Sequence, residues 1–293
     1  MTLWLVRVAW ATLPITAGPA AGDALADWST PPRTLAEVLL WAAWAVSLLA
    51  MLAPHPIGLT TVRVVGSTFV ALAIVVVATG SADGARAAVA LVATVVGGVL
   101  AVALPAVSFA CANGVAYGDE RRYPLRTPPA LWLGPLPLAP LLVAGGMVTG
   151  ALLLADGRVV VGVAALVVGL PVAALAARSL HSLSVRWAVL VPAGLVVVDA
   201  MTLADPVLFM RERIESLRPV TRRQPPPAAA VDLRLGARSG SVAMTLDRPT
   251  EVVRPRRGRG RAGVDHVSGL CFATVYAGEL LATAAARRIR VNV

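Results

Sequence analysis

The chain has 293 residues, of which 57% are hydrophobic and 14% charged, with 26 arginines, no lysine and a net charge of +10. Soluble domains are usually about 45–50% apolar and about 25% charged, so an ordinary soluble protein is excluded as the reading. The absence of lysine also excludes Schiff-base chemistry and the ordinary phosphate-binding loop, which removes most nucleotide hydrolases. Only Cys111 and Cys271 are present, so neither a disulfide framework nor a zinc site is indicated.

Apolar residues and charges are unevenly spread. Residues 1–177 hold 8 Arg and 7 acidic residues, net +1, while residues 178–293 hold 18 Arg and 9 acidic residues, net +9. This predicts a membrane domain over 1–177 and a basic cytosolic domain over 178–293.

A hydrocarbon core about 30 Å thick takes about 20 apolar residues at about 1.5 Å each. Six runs approach that length: Leu3 to Ala21, Leu35 to Ala53, Val64 to Gly80, Ala87 to Cys111, Ala130 to Ala155 and Val159 to Ala177. Turn chemistry separates them, as at Pro54-His55-Pro56, Ser81-Ala82-Asp83-Gly84 and Asp156-Gly157-Arg158. Trp4, Trp10, Trp28, Trp41, Trp44 and Trp132 lie in or beside these runs, several near an end, where interfacial anchors belong. With the N-terminus inside, the inner face holds Arg7, Arg63, Arg121, Arg122, Arg126, Arg178 and Arg186, against Arg33, Arg86 and Arg158 outside. Positive charge gathers on the cytoplasmic side, so a multi-pass plasma-membrane protein with both termini in the cytoplasm is expected. The first run, with Arg7, Pro14 and Ala24-Leu25-Ala26, imitates a cleavable signal peptide, but its thin positive start favours a retained helix.

No ionisable residue falls at mid-span, and Glu37 and Arg63 sit near span ends. That disfavours a proton-coupled antiporter or ion pump, which needs buried charges along its path. Pro135, Pro137 and Pro140 at the start of the fifth run fit a kinked packing helix better than the broken helix of a transporter. Gly97-Gly98 and Gly145-Gly146 are expected to let helix backbones approach closely. The loop from Asn113 to Pro129 carries Asp119, Glu120, Arg121, Arg122 and Arg126. Its adjacent carboxylates invite an acid/base or metal role, but neighbouring arginines neutralise them, and a solvated or headgroup-facing loop at the inner leaflet is the favoured reading.

After Arg178 the pattern changes to short β-like segments. Val185 to Val191 and Gly194 to Asp199 flank a tight turn at Pro192-Ala193. Further strands are expected at Pro206 to Met210, Ile214 to Leu217, Ala230 to Leu235, Ser241 to Leu246 and Gly269 to Val275, with a terminal helix from Gly278 to Ile289. Trp187, Leu190, Leu195, Val197, Ile214, Leu233, Phe272 and Leu281 are the expected core.

The run Arg186-Trp187-Ala188-Val189-Leu190-Val191-Pro192-Ala193-Gly194-Leu195-Val196-Val197, then Arg213-Ile214-Glu215-Ser216-Leu217, and the strand-to-helix ending from Cys271 to Ile289 resemble the element order of bacterial pleckstrin-homology-like (PH-like) domains. The resemblance covers about the last 110 residues and implies a small α+β domain, a β-barrel or sandwich closed by one C-terminal helix. The terminal helix lacks a Trp, and two long loops interrupt the strands. The whole chain also resembles uncharacterised polytopic membrane proteins of high-GC Gram-positive bacteria, a likeness that implies no activity.

The two loops are read as flexible, at about 218–229 and 248–264. The first contains Arg222-Arg223 and Pro225-Pro226-Pro227. The second carries Arg248, Arg254, Arg256, Arg257, Arg259 and Arg261 against the single acid Glu251, up to Arg261. Phosphates of nucleic acid could meet these arginines, yet no aromatic residue interleaves with them to stack on bases. A domain tethered at the inner leaflet meets anionic lipid first, so lipid contact is favoured, with a merely solvated loop open beside it. His55, His181 and His266 lie far apart with no ligand spacing, and no G-x-S-x-G elbow occurs, so no catalytic residue, cofactor or metal is expected. The sequence therefore reads as a non-enzymatic membrane scaffold, a module that binds lipid or a protein partner. A small transporter or permease subunit is the alternative.

Overall fold

A computed structural model describes residues 2–221, 230–255 and 263–292. It divides the chain into two compact units, one of Met1–Cys111 with Gly134–His181, the other of Ala112–Leu133 with Ser182–Val293. The division is not the contiguous split at 177/178: residues 112–133 belong to the second unit.

In the first unit, five helices among the described residues are long and apolar enough to cross a membrane, not six. These are α4 (Thr30–Leu52), α5 (Pro56–Thr79), α6 (Gly84–Ala103), α8 (Pro135–Ala155) and α9 (Val159–Ser184). They leave Trp41, Val92, Val160, Val167 and Leu175 more than half exposed, an arrangement that water would penalise and lipid would not. The first expected run is instead three short helices, α1 (Thr2–Ala11), α2 (Leu13–Thr16) and α3 (Gly18–Ala24). Pro14 and Pro19 cause the breaks: neither has an N–H to bond backwards, and each sits in the first turn of a new helix. Proline also sets other boundaries. Pro105 separates α6 from α7 (Pro105–Asn113), and Pro56 starts α5 well before the expected Val64.

Small residues set the helix contacts. A Cβ added at Gly98 would lie 3.0 Å from the Gly66 carbonyl oxygen, so α5 and α6 touch backbone to backbone. One added at Gly150 would lie 2.8 Å from the Gly162 carbonyl, and one at Gly169 the same distance from that of Gly146, which joins α8 to α9. Of the expected glycine pairs, Gly98 and Gly146 make the close approach; Gly145 faces open space.

Among its described residues the second unit holds two four-stranded sheets and a C-terminal helix. The first sheet runs β1 (Arg121–Pro124), β2 (Trp187–Val191), β3 (Gly194–Val198), β4 (Val207–Met210), antiparallel throughout. The second contains β5 (Ile214–Val220), β6 (Ala230–Asp232), β7 (Ser241–Val253) and β8 (Val264–Ala273), in the order β5-β7-β8-β6, with β6 parallel to β8. Helix α10 (Ala277–Ala286) buries Leu280, Leu281 and Ala284. All eight expected core side chains are buried.

Two expected loops are shorter than their sequence implied. β5 continues to Val220, and residues 222–229 lie outside the described part. β7 runs on through Arg248 to Val253 and pairs with Val264–Val267, so the described ends of the 248–264 segment form a β-hairpin. Val252 and Val267 bury on one face of that hairpin, and β-branched residues suit such a pleated surface. Pro249, which cannot donate to a ladder, falls in the irregular stretch between Thr245 and Thr250.

Candidate functional site

The polar cluster expected as an inner-leaflet loop is built into the second unit. Arg121–Pro124 forms the edge strand β1, which pairs with β2 so that Arg122 faces Val189 and Tyr123 faces Ala188. Asn113 closes the edge: its Nδ2 donates to the Arg122 carbonyl at 2.8 Å, and its Oδ1 accepts the Arg122 N–H at 3.0 Å. Glu120 accepts from Arg122 Nη2 at 2.5 Å and from the Tyr117 N–H at 2.7 Å. Partial burial raises the Glu120 pKa, but the Tyr117 N–H and the Arg122 guanidinium outweigh it and hold the carboxyl below its usual range. Arg121 pairs with Glu279 of α10 at 3.1 Å, and the Asp119 carbonyl accepts from Arg287. Tyr123 is fully buried and donates to Thr283 at 2.8 Å. The Arg126 N–H bonds the Ala273 carbonyl at 2.8 Å, and its own carbonyl accepts from Arg186. The side chains of Glu120, Arg121, Arg122 and Tyr123 are spent on holding β1, β2 and α10 together, whereas Asp119 and Arg126 contribute backbone groups, and the buried Arg126 Nε has no hydrogen-bond partner among the described residues.

Of the six hairpin arginines, the described ones are Arg248 and Arg254. Arg248 is 77% exposed and 3.9 Å from Asp247. Arg254 pairs with Asp265 across the hairpin at 3.1 Å. Arg256, Arg257, Arg259 and Arg261 lie outside the described residues. The turn end of the β7–β8 hairpin is anchored where the Ala204 N–H bonds the Val253 carbonyl at 2.9 Å.

A buried ion pair escaped the sequence reading. Arg186 and Asp199 meet in a two-pronged contact at 2.7 and 2.8 Å, with side chains 2% and 0% exposed. Asp199 also accepts from Thr202 Oγ1 at 2.8 Å and the Met201 N–H at 3.1 Å. The signal was in the hairpin arithmetic: the turn pairs Val191 with Gly194 and Trp187 with Val198, so Arg186 and Asp199 are the next pair outward.

The three histidines are apart. His55 Nδ1 accepts from the Ile57 N–H at the start of α5, His181 meets Thr60 at 3.1 Å, and His266 lies 3.8 Å from Glu251 on the hairpin. Both cysteines are buried. Burial pushes the Cys271 thiol up to about 11 against the pull of Arg234. Among the described residues no group of three or more His, Cys, Asp or Glu could hold a metal ion.

Charge is distributed by end in the first unit and by sign in the second. The first unit has five carboxylates, at Asp23, Asp27, Glu37, Asp83 and Asp156, all toward the end that holds the α5–α6 and α8–α9 turns. Arg86, Arg33 and Arg158 at that end pair with Asp23, Glu37 and Asp156, each at 2.9 Å. Arg7, Arg63 and Arg178 lie toward the other end, where the chain passes to the second unit after Cys111, before Gly134 and after His181. The second unit holds 20 Arg and 11 acidic residues, net +9. Comparison with protein-family models, with curated proteins and with solved structures found no match.

Proposed function

We propose that the chain is a multi-pass plasma-membrane protein whose sheet unit faces the cytoplasm. There it serves as a non-enzymatic binding module for the anionic inner leaflet, with a protein partner as the second class of ligand. The observation that carries this is the charge distribution. All carboxylates of the helical unit gather at one end, and the chain leaves for a +9 sheet unit from the other, which the positive-inside rule makes the cytoplasmic end.

The broken segment α1–α3 supports a sixth crossing. It runs antiparallel to α6 and α7: Asp23 pairs with Arg86 at the start of α6, Trp10 and Leu13 neighbour Gly97, and Leu3 and Val6 adjoin Val107, Ala110 and Cys111. Six crossings put both termini in the cytoplasm. The PH-like reading draws support from the element order. A Trp-bearing strand β2 leads to the Gly-initiated β3, the strand from Ile214 begins the second sheet, and one helix ends the unit.

An Arg near an anionic surface contributes about 1 kcal/mol, decaying over a Debye length of about 8 Å at physiological salt. Arg248 lies on β7 and Arg254 just after it, and Arg256, Arg257, Arg259 and Arg261 follow in the sequence before β8. Trypsin cuts after Arg256, Arg257, Arg259 and Arg261, though not after Arg248 or Arg254, each of which precedes a proline, and this provides the test. With the intact chain in lipid nanodiscs, cleavage at these four sites should be slower in phosphatidylglycerol than in phosphatidylcholine, and high salt should remove the difference. Equal cleavage in the two lipids contradicts the reading. Protection instead by a DNA duplex or single-stranded RNA, with a steep salt dependence, replaces it with nucleic-acid binding.

A further inference from the structure

Apart from Arg121 and Arg122 on β1, the first sheet of the second unit is apolar on both faces. On one face lie Tyr123, Ala188, Leu190, Leu195, Val197 and Phe209, all at most 2% exposed. On the other, register places Trp187 against Val198, Val189 against Val196, Val196 against Leu208, and Gly194 against Met210. An antiparallel sheet with one solvated face alternates apolar and polar residues, and these strands do not. The second face therefore has an occupant besides water.

Cover on that face is graded. Trp187 and Val189 are 9% and 5% exposed and form a cluster with Ala112, the second-last residue of α7. The Arg122 guanidinium stacks over the Trp187 ring at 4.7 Å. Val196 and Val198 are half-buried, and Leu208 and Met210 on β4 are each 45% exposed. Buried apolar surface thus lies on the β1–β2 side of the sheet and opens toward the edge strand β4. The open side is followed at once by Arg211 and Arg213, and the loop before it exposes Met201.

We propose that this outer face of the first sheet, with Val196, Val198, Leu208 and Met210 at its open side, is a membrane-docking face whose occupant is the anionic bilayer interface. Three arguments select lipid over a diffusing protein. β2 begins three residues after α9 ends, so at most about 10 Å of extended chain tethers the strand that starts this face to the last candidate span. Its open side is followed by Arg211, Glu212 and Arg213, where Arg211 pairs with Glu212 at 2.8 Å and Arg213 leaves the edge net positive, which suits phosphate headgroups beside an apolar centre. Tethering also keeps the local lipid concentration above that of any soluble partner. The inference rests on the reading that this unit lies at the inner leaflet, but it assigns a different surface from the arginine hairpin and a different force, apolar insertion.

The test uses the intact chain in phosphatidylglycerol-containing nanodiscs, with Cys111 and Cys271 replaced by alanine and an environment-sensitive fluorophore at Leu208→Cys, Met210→Cys or Val275→Cys. Val275 is 42% exposed and follows β8, a strand of the second sheet. Probes at 208 and 210 should be quenched by lipids carrying a shallow nitroxide and be several-fold less open to aqueous iodide than the probe at 275. Equal iodide access at all three positions overturns the proposal. So does shielding of 208 and 210 from both quenchers, which would mean protein covers the face. A Leu208→Ser, Met210→Ser chain, in which Phe209 and the core are untouched, should lose lipid quenching at a probe on Val196→Cys; unchanged quenching there also overturns it. Lipid quenching at 208 with no lipid-dependent trypsin protection would remove the hairpin reading alone, and the converse would remove this one alone.

Discussion

The Asn113 carboxamide bonds both the N–H and the C=O of Arg122, at 3.0 and 2.8 Å, and so replaces the strand that β1 lacks on its outer side. An edge strand of four residues with two arginines and a proline has little reason to form alone. It forms because Asn113 holds one side and β2 the other.

Residues 182–293 expressed without 112–133 should therefore fail to fold cooperatively. They lack β1 and the buried Tyr123 ring, whose loss resembles a Phe-to-Ala change of about 3–5 kcal/mol against a total stability of about 5–15 kcal/mol. The same segment with residues 112–133 fused ahead of it through a Gly-Ser linker should give a sigmoidal urea transition by near-UV circular dichroism. A cooperative transition without the added strand contradicts this.

The buried pair Arg186–Asp199 predicts a strong asymmetry between single and double variants. Arg186→Met or Asp199→Leu alone leaves a buried charge uncompensated and should cost about 3–5 kcal/mol. The double variant should recover most of that loss, read as the shift in thermal midpoint of the intact chain in detergent. Additive losses would mean the two charges are independently solvated.

Gly146 and Gly145 are neighbours with opposite surroundings. A Cβ at Gly146 meets the Gly169 carbonyl, while one at Gly145 meets nothing within 4 Å. Gly146→Ala should lower stability by about 1–3 kcal/mol through overpacking, and Gly145→Ala should be close to neutral. Thermal denaturation in one detergent compares them directly.

Cys271 should resist alkylation. Its folded-state pKa, about 11, lies above the usual thiol value of 9.0, so the shift contributes stability below pH 9 that is lost as pH rises toward 11. Iodoacetamide at pH 8 should spare Cys271 in the folded chain and modify it in urea. Cys271→Ala should flatten the stability loss between pH 9 and 11. Rapid alkylation of the folded chain would place the thiol at the surface.

The long apolar helices and the core strands were legible in the sequence because their signals are local. Apolar runs gave five helices, and β-branched alternation around Pro192-Ala193 placed Leu190, Leu195 and Val197 inside. The first run reads as one continuous helix because its composition is largely apolar, and composition does not register that Pro14 and Pro19 each end a hydrogen-bond ladder. β1 was not legible: Arg121-Arg122-Tyr123-Pro124 has loop chemistry, and its partner β2 lies more than 60 residues away. In the candidate site, the hairpin from Ser241 to Ala273 could have been extended from Val252-Val253 and Val264, which flank the arginines as strand residues would.

The most direct test of the account is the side of the membrane on which the sheet unit lies. In a chain with Cys111 and Cys271 replaced by alanine, a single cysteine is placed at Ser81, in the α5–α6 turn, or at Ser239, before β7. Intact cells are treated with a membrane-impermeant maleimide. Labelling at Ser81 from outside, with Ser239 labelled only after permeabilisation, is the predicted result; labelling at Ser239 in intact cells with Ser81 protected would contradict it.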